Sequence, residues 1–196
     1  MDSRQRLRIA KQLEKELNYK RFIHTMGVAY TASSLAMRYG TDVEKAEIAG
    51  LLHDCAKCMD TEEMMSLCRE GGIQLTKIES GNPALLHSKA GSVLARKEYG
   101  ITDPEILSAI ACHTTGKPGM TRLEEIVFTA DYIEPGRTSA RRLPEIRQEA
   151  FLDLDEAVRM ILSDTLAYLS TTGEPVDGMT KETYEYYEKY KNGGKA

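Results

Sequence analysis

What most restricts the fold of this chain is a series of helix start and stop signals recurring along its whole length. Thr41 with Glu44, Thr121 with Glu124 and Asp153 with Glu156 have the spacing of capping boxes, in which a side-chain oxygen and a carboxylate three residues on close the first turn reciprocally. Asn82-Pro83 and Asp103-Pro104 place a capping side chain before a proline, which has no N–H to leave unpaired at the first helical position. Gly40, Gly71-Gly72, Gly100, Gly116 and Gly173 follow periodic segments and read as stops. The intervals predict helices over 3–17, 19–39, 43–57, 61–70, 83–98, 103–113, 121–134, 144–150, 154–171 and 180–191. Within them, Ile48, Leu51, Leu52 and Cys55 form an apolar stripe, as do Val158, Ile161, Leu162, Leu166 and Leu169. Strand-like alternation, internal repeats and linkers are absent from the pattern. The expectation is an all-α, bundle-like single domain over 1–196, with its core in 20–172 and a C-terminal helix at 180–191.

At 196 residues and 41% hydrophobic, the chain can fill one sizeable core. Its net charge of −4 argues against a nucleic-acid polymer or an anionic membrane as partner, since both call for a broad basic face. A small polyanion would have to be held by a local basic cluster or a metal. Met1–Leu17 has no apolar core of a secretory signal, and no run approaches the ~20 apolar residues of a membrane span. Four cysteines in that setting read as reduced thiols. These features set the expectation of a soluble, cytoplasmic chain.

The four histidines, His24, His53, His87 and His113, all fall in predicted helices beside apolar positions. A lone histidine there is ordinarily a hydrogen-bonded core residue. His53, however, is followed by Asp54, and in a helix the two project about 100° apart, close enough to reach one ion beside it. A buried Asp54 without a partner would cost several kcal/mol, which implies a cation or a hydrogen-bond network. Asp131 is the one acid in the apolar run Ile126–Ile133 and is another candidate ligand, while His24 on a preceding helix could close the site.

His24, His53-Asp54 and Asp131 together resemble the H…HD…D signature of the HD-domain metallophosphohydrolases. Within that superfamily the chain is similar to the YqeK-type bacterial symmetrical diadenosine tetraphosphate hydrolases. The matching runs are His53-Asp54-Cys55-Ala56-Lys57, Leu85-Leu86-His87, His113-Thr114-Thr115-Gly116 and Ala130-Asp131-Tyr132-Ile133-Glu134-Pro135-Gly136-Arg137, and the likeness covers roughly 20–190. The resemblance implies an HD-domain helical bundle with a metal held by His24, His53, Asp54 and Asp131. It implies iron as that metal, with His87 and His113 lining the cavity as phosphate contacts or as ligands of a second ion. A mixed imidazole–carboxylate set equally suits Mn, Co or Zn. It further implies cleavage of a dinucleoside tetraphosphate to two ADP by hydroxide generated at the ion, with Asp54, Lys57, His87 and His113 as the catalytic group. Arg21, Lys57 and Arg137, close to the ligands in sequence, are the candidate phosphate cations, and Thr114 a further contact. A late loop contacts the nucleotide in the family, and its counterpart here is Glu174-Pro175-Val176-Asp177-Gly178-Met179.

Other features read more plainly. Cys55-Ala56-Lys57-Cys58 has no second C-x-x-C and reads as structural. Met59, Met64 and Met65 read as core fillers. Tyr184, Tyr186, Tyr187 and Tyr190 read as the packing face of a terminal helix, and Arg141, Arg142 and Arg147 as a solvated face. Two alternatives share the site: an HD-type nucleotidase or phosphodiesterase acting on another nucleotide, and a nucleotide sensor without catalysis. An exposed apolar helix face would pair two copies into a homodimer.

Overall fold

A computed structural model describes residues 3–173 and 176–193. Among the described residues there are eleven helices and no strand. They are α1 (Ser3–Glu16), α2 (Tyr19–Tyr39), α3 (Val43–Leu52), α4 (Thr61–Glu70), α5 (Lys77–Gly81), α6 (Pro83–Tyr99), α7 (Pro104–Cys112), α8 (Arg122–Ile133), α9 (Leu143–Glu149), α10 (Leu154–Thr172) and α11 (Gly178–Gly193). Glu174 and Pro175 of the late loop lie outside the described residues.

Local chemistry accounts for the boundaries, with corrections. Thr121 and Glu124 form the reciprocal capping box at α8. At α3 the cap is Asp42 rather than Thr41, its carboxylate accepting from the Lys45 N–H at 3.0 Å. Asp153 caps α10 through the Glu156 N–H, but the Glu156 carboxylate turns away to Arg159 and the box is not completed. The single-turn helix α5 was not foreseen, because five residues are too few to show a period; its capping box is Thr76 with Glu79.

The main correction concerns 43–57. Helix α3 ends at Leu52, and 53–58 continue as turns in which Cys55 N–H donates to Leu52 O, Lys57 N–H to Asp54 O and Met59 N–H to Ala56 O. The Gly50 carbonyl is taken by the His53 ring at 2.7 Å instead of extending the helical ladder. This turn sits at the seam between two apolar clusters. Cys55 belongs to the main core, built from α2, α3, α7, α8 and α10 around Leu35, Leu52, Ile110, Ile126 and Leu162. Ala56 belongs to a satellite cluster with Met64, Leu67, Cys68, Leu86 and Ala90, against which Met59 and Met65 pack. The turn is therefore fixed from both sides.

Helices α2 and α3 cross closely. A Cβ at position 50 would lie 2.8 Å from Ala29 Cα, so glycine is what admits the approach. Tyr187 is buried in the main core and Tyr184 and Tyr186 pack against it, so α11 packs on α10, with the Tyr187 hydroxyl donating to Glu125 of α8. The side chain of Tyr190 is outside the description. No helix among the described residues is long and apolar enough to cross a membrane.

Candidate metal centre

Four elements deliver the candidate ligands. His24 comes from the first turns of α2, His53 caps the end of α3, Asp54 follows it in the turn, and Asp131 lies in the last turn of α8. His53 is fully buried, and its Nδ1–H donates to the Gly50 carbonyl. The Nδ1 of His24 lies 3.1 Å from Glu134 Oε1. Each ring is thus held by Nδ1, which turns Nε2 inward, the arrangement by which proteins orient imidazoles for metal binding. His24 Nε2 is 3.1 Å from Asp131 Oδ1 and 3.8 Å from Asp54 Oδ2; His53 Nε2 is 3.4 Å from Asp54 Oδ2 and 3.9 Å from Asp131 Oδ1. Neither Nε2 makes a regular hydrogen bond, and each lies at ion-pair distance from both carboxylates. Two buried nitrogens with no regular hydrogen bond, facing two carboxylates, form a donor set suited to a divalent cation. His24, His53 and Asp131 form one group of potential ligands within 4.8 Å, and His53, Asp54 and His113 another.

The electrostatics match. Burial alone would raise the Asp54 carboxyl, but the charge of His53 and the hydrogen bond from His87 outweigh it and hold it well below the usual range. Burial likewise acts to raise Asp131, and His24 and His53 overcome it. His53 is pulled toward neutrality by burial, while the neighbouring Asp54 carboxylate outweighs that and raises its pKa.

Beside this group stands a second one. His113, at the end of α7, donates its Nδ1–H to Ile110 O at 2.8 Å, and burial with the neighbouring His53 and His87 pushes its pKa down to about 3. It is therefore a neutral acceptor at Nε2. His87 Nε2 lies 3.1 Å from both His113 Nε2 and Asp54 Oδ1, which assigns the proton to His87. The Lys57 Nζ packs 3.2 Å from both ring nitrogens of His87, and burial lowers its pKa. The Thr114 hydroxyl reaches the same cluster, 3.3 Å from His113 Nε2.

Cations ring the opening. Arg21 pairs with Asp54 at 2.6 Å, and Arg137 pairs with Asp131 at 3.1 Å. The sequence reading gave no role to Glu134, although it is buried and its carboxylate holds both the His24 ring and, at 2.6 Å, the Gly136 N–H. The available signal was an acid ending an apolar helical run. Gly27 belongs with it, since a Cβ there would lie 2.5 Å from Glu134 Oε2. Arg142 is exposed, as a solvated face requires, but it is ion-paired, and Arg147 is held inward. Arg142 grips Asp164, and Arg147 donates to the carbonyls of Ile133, Glu134 and Arg137. Asp177, Gly178 and Met179 line a cavity of about 410 Å³ with Thr115 and Gly116, away from the four-ligand group. Cys55 is buried and Cys58 exposed, and both are free thiols.

An all-helical frame carrying a buried His/Asp cluster able to bind a metal defines the class of protein at hand. The family model described as "HD domain" matches residues 21–136, and the chain belongs to that family. It is 39% identical to the symmetrical bis(5'-nucleosyl)-tetraphosphatase of Bacillus subtilis, covering 89% of this chain and 92% of the relative. It is 42% identical to the protein of the same name from Halalkalibacterium halodurans, covering 89% and 93%. A crystal structure of a predicted HD superfamily hydrolase involved in NAD metabolism from Clostridium acetobutylicum superposes with a TM-score of 0.89 at 41% identity, covering 92% of this chain and 95% of the other. The all-α HD fold is thereby established.

Proposed function

We propose that this chain is a metal-dependent hydrolase that splits diadenosine tetraphosphate at its central anhydride to give two ADP. The observation carrying the reading is the convergence of the inward-facing Nε2 atoms of His24 and His53, which make no regular hydrogen bond, on the Asp54 and Asp131 carboxylates, beside the cations Arg21, Lys57 and Arg137. Identities of 39% and 42% over 89% of the chain to symmetrical bis(5'-nucleosyl)-tetraphosphatases support the substrate.

His24, His53, Asp54 and Asp131 would hold the resident ion, iron in this reading, with Mn, Co or Zn compatible with the same donors. His87 and His113 would hold a second ion if their mutual contact opened. Such an ion supplies Lewis acidity, lowering the pKa of water and offsetting phosphate charge. The chain does the rest. Arg21, Arg137 and Thr114 grip phosphate oxygens, and the fixed cations stabilise charge developing on the departing oxygen. His87 holds a proton on Nε2 at the site, with Lys57 against its ring, which places a donor and a cation beside the breaking bond. Asp177, Gly178 and Met179, with Val176 beside them, contact one nucleoside; Glu174 and Pro175, which the resemblance assigns to the same contact, lie outside the described residues. The chain works in the cytoplasm, without nucleic-acid polymer or membrane, and an exposed apolar helix face would pair two copies as a homodimer.

Product analysis tests the reading. Metal-loaded protein given diadenosine tetraphosphate should release two ADP. AMP plus ATP would mean asymmetric cleavage, and tight binding without turnover would mean a sensor.

A further inference from the structure

The proposed substrate has the same nucleoside at both ends, and hydrolysis at its middle leaves an ADP on each side of the cut. A single asymmetric chain must meet these two halves with two different surfaces. The cavity of about 410 Å³ lined by Asp177, Met179 and Thr115 accounts for one. A separate cavity of about 500 Å³, sharing no residue with the first, lies between the first turns of α2 and the segment after α8. Its inner wall is His24 and Glu134, and its outer wall includes Tyr19, Arg21, Ile23 and Arg137.

Resting on the function proposed above, we infer that this second cavity is the subsite for the other nucleoside diphosphate half. Three observations carry it. First, the cavity opens directly from His24, so a phosphate chain crossing the ligand cluster runs into it. Second, three cations line its mouth, Lys20 with Arg21 and Arg137, the two arginines reaching inward to pair with the candidate ligands Asp54 and Asp131, while the one acid lining it, Glu134, is turned inward to His24 and the Gly136 N–H. Third, Tyr19 and Ile23, one turn apart on α2, are 80% and 48% exposed, and among the described residues Tyr19 has no hydrogen-bond or ring partner. An exposed aromatic ring beside an aliphatic side chain at a cationic mouth is a stacking platform for a base, with the arginines placed for its phosphates. The chemistry is hydrolytic: the oxygen of water ends on one ADP, the central bridging oxygen leaves with the other, and the protons of the water pass to solvent or to the departing oxygen.

The test compares diadenosine tetraphosphate with adenosine 5'-tetraphosphate, which lacks the second nucleoside and yields ADP and pyrophosphate when cut at the same bond. Tyr19→Ala should lower kcat/KM for the dinucleotide roughly 10-fold and leave the mononucleotide unchanged, while Tyr19→Trp should retain the wild-type value for both. Equal effects on the two substrates, or no effect on either, would overturn the subsite. ADP titration gives a readout independent of turnover: two per metal-loaded wild-type chain are expected, with one of the two bound roughly 10-fold more weakly in Tyr19→Ala, and one per wild-type chain would also overturn it. Failure of wild-type protein to release ADP from diadenosine tetraphosphate, with two ADP still bound, would instead sink the function and leave the second site standing.

Discussion

His24 Nδ1 lies 3.1 Å from Glu134 Oε1, a contact that spans most of the chain in sequence and joins the start of α2 to the end of α8. The same carboxylate accepts the Gly136 N–H through Oε2, so both oxygens are engaged. Glutamine has one acceptor oxygen and must present its NH2 to one of those two donors. Glu134→Gln should therefore let the His24 ring turn and weaken metal binding roughly 10- to 100-fold, read by titration against a competing chelator. Gly27→Ala should act in the same direction, because its methyl would sit where the carboxylate is. Wild-type affinity in both variants would show that this contact does not orient the ring.

Metal removal should cost stability. If the ion binds only the folded chain, chelation at an initial free ion concentration 100 times Kd lowers unfolding free energy by about 2.7 kcal/mol. Asp54→Ala removes a ligand candidate and the partner of Arg21 and His87, so it should bind little metal, turn over no substrate, and show no such chelator-dependent loss. Calorimetry with and without chelator checks this. Full metal content in active Asp54→Ala protein would exclude Asp54 as a ligand.

The sequence made some of this legible, for reasons that differ by residue. Helix starts at Asn82, Asp103 and Thr121 are chemistry confined to a few neighbours, and the structure has them where expected. His24, His53, Asp54 and Asp131 stood out as candidate ligands by residue type, but their grouping into one site rested on the family resemblance, since no local rule brings α2 beside α8. The end of α3 was misjudged because the His53 side chain competes for the Gly50 carbonyl, a choice made by one rotamer. Glu134 and Arg147 were missed because their partners are backbone groups and a ring brought close only by the fold.

Arg147 illustrates the last point. Its guanidinium donates to three carbonyls of the segment 133–137, at 2.8 to 2.9 Å, and that segment presents both Glu134 and Arg137. Arg147→Lys has one compact ammonium in place of a planar fork and cannot reproduce the three bonds. The expected loss is about 1–3 kcal/mol of stability, by urea unfolding, with turnover falling more steeply than the folded fraction. A stable variant with unchanged turnover would show that the segment holds its shape unaided.

Glu125, remote from the ligand cluster, gives a pH signature. It is buried, accepts from the Tyr187 hydroxyl at 2.6 Å and pairs with Arg122 at 2.8 Å. Burial outweighs both partners and raises its pKa to about 7, against 4.5 for the ordinary carboxyl. Below pH 4.5 the group is protonated folded and unfolded alike, and its contribution is fully present. Between 4.5 and 7 the unfolded chain gives up the proton first, so stability falls as pH rises, by up to about 3 kcal/mol, and then levels off. Glu125→Gln keeps an acceptor for Tyr187 and removes the titration. The stability difference between wild type and variant, from urea unfolding in chelator at pH 5 and pH 8, should shift in favour of the variant at the higher pH. A difference that does not change with pH would mean that Arg122 keeps Glu125 ionised throughout.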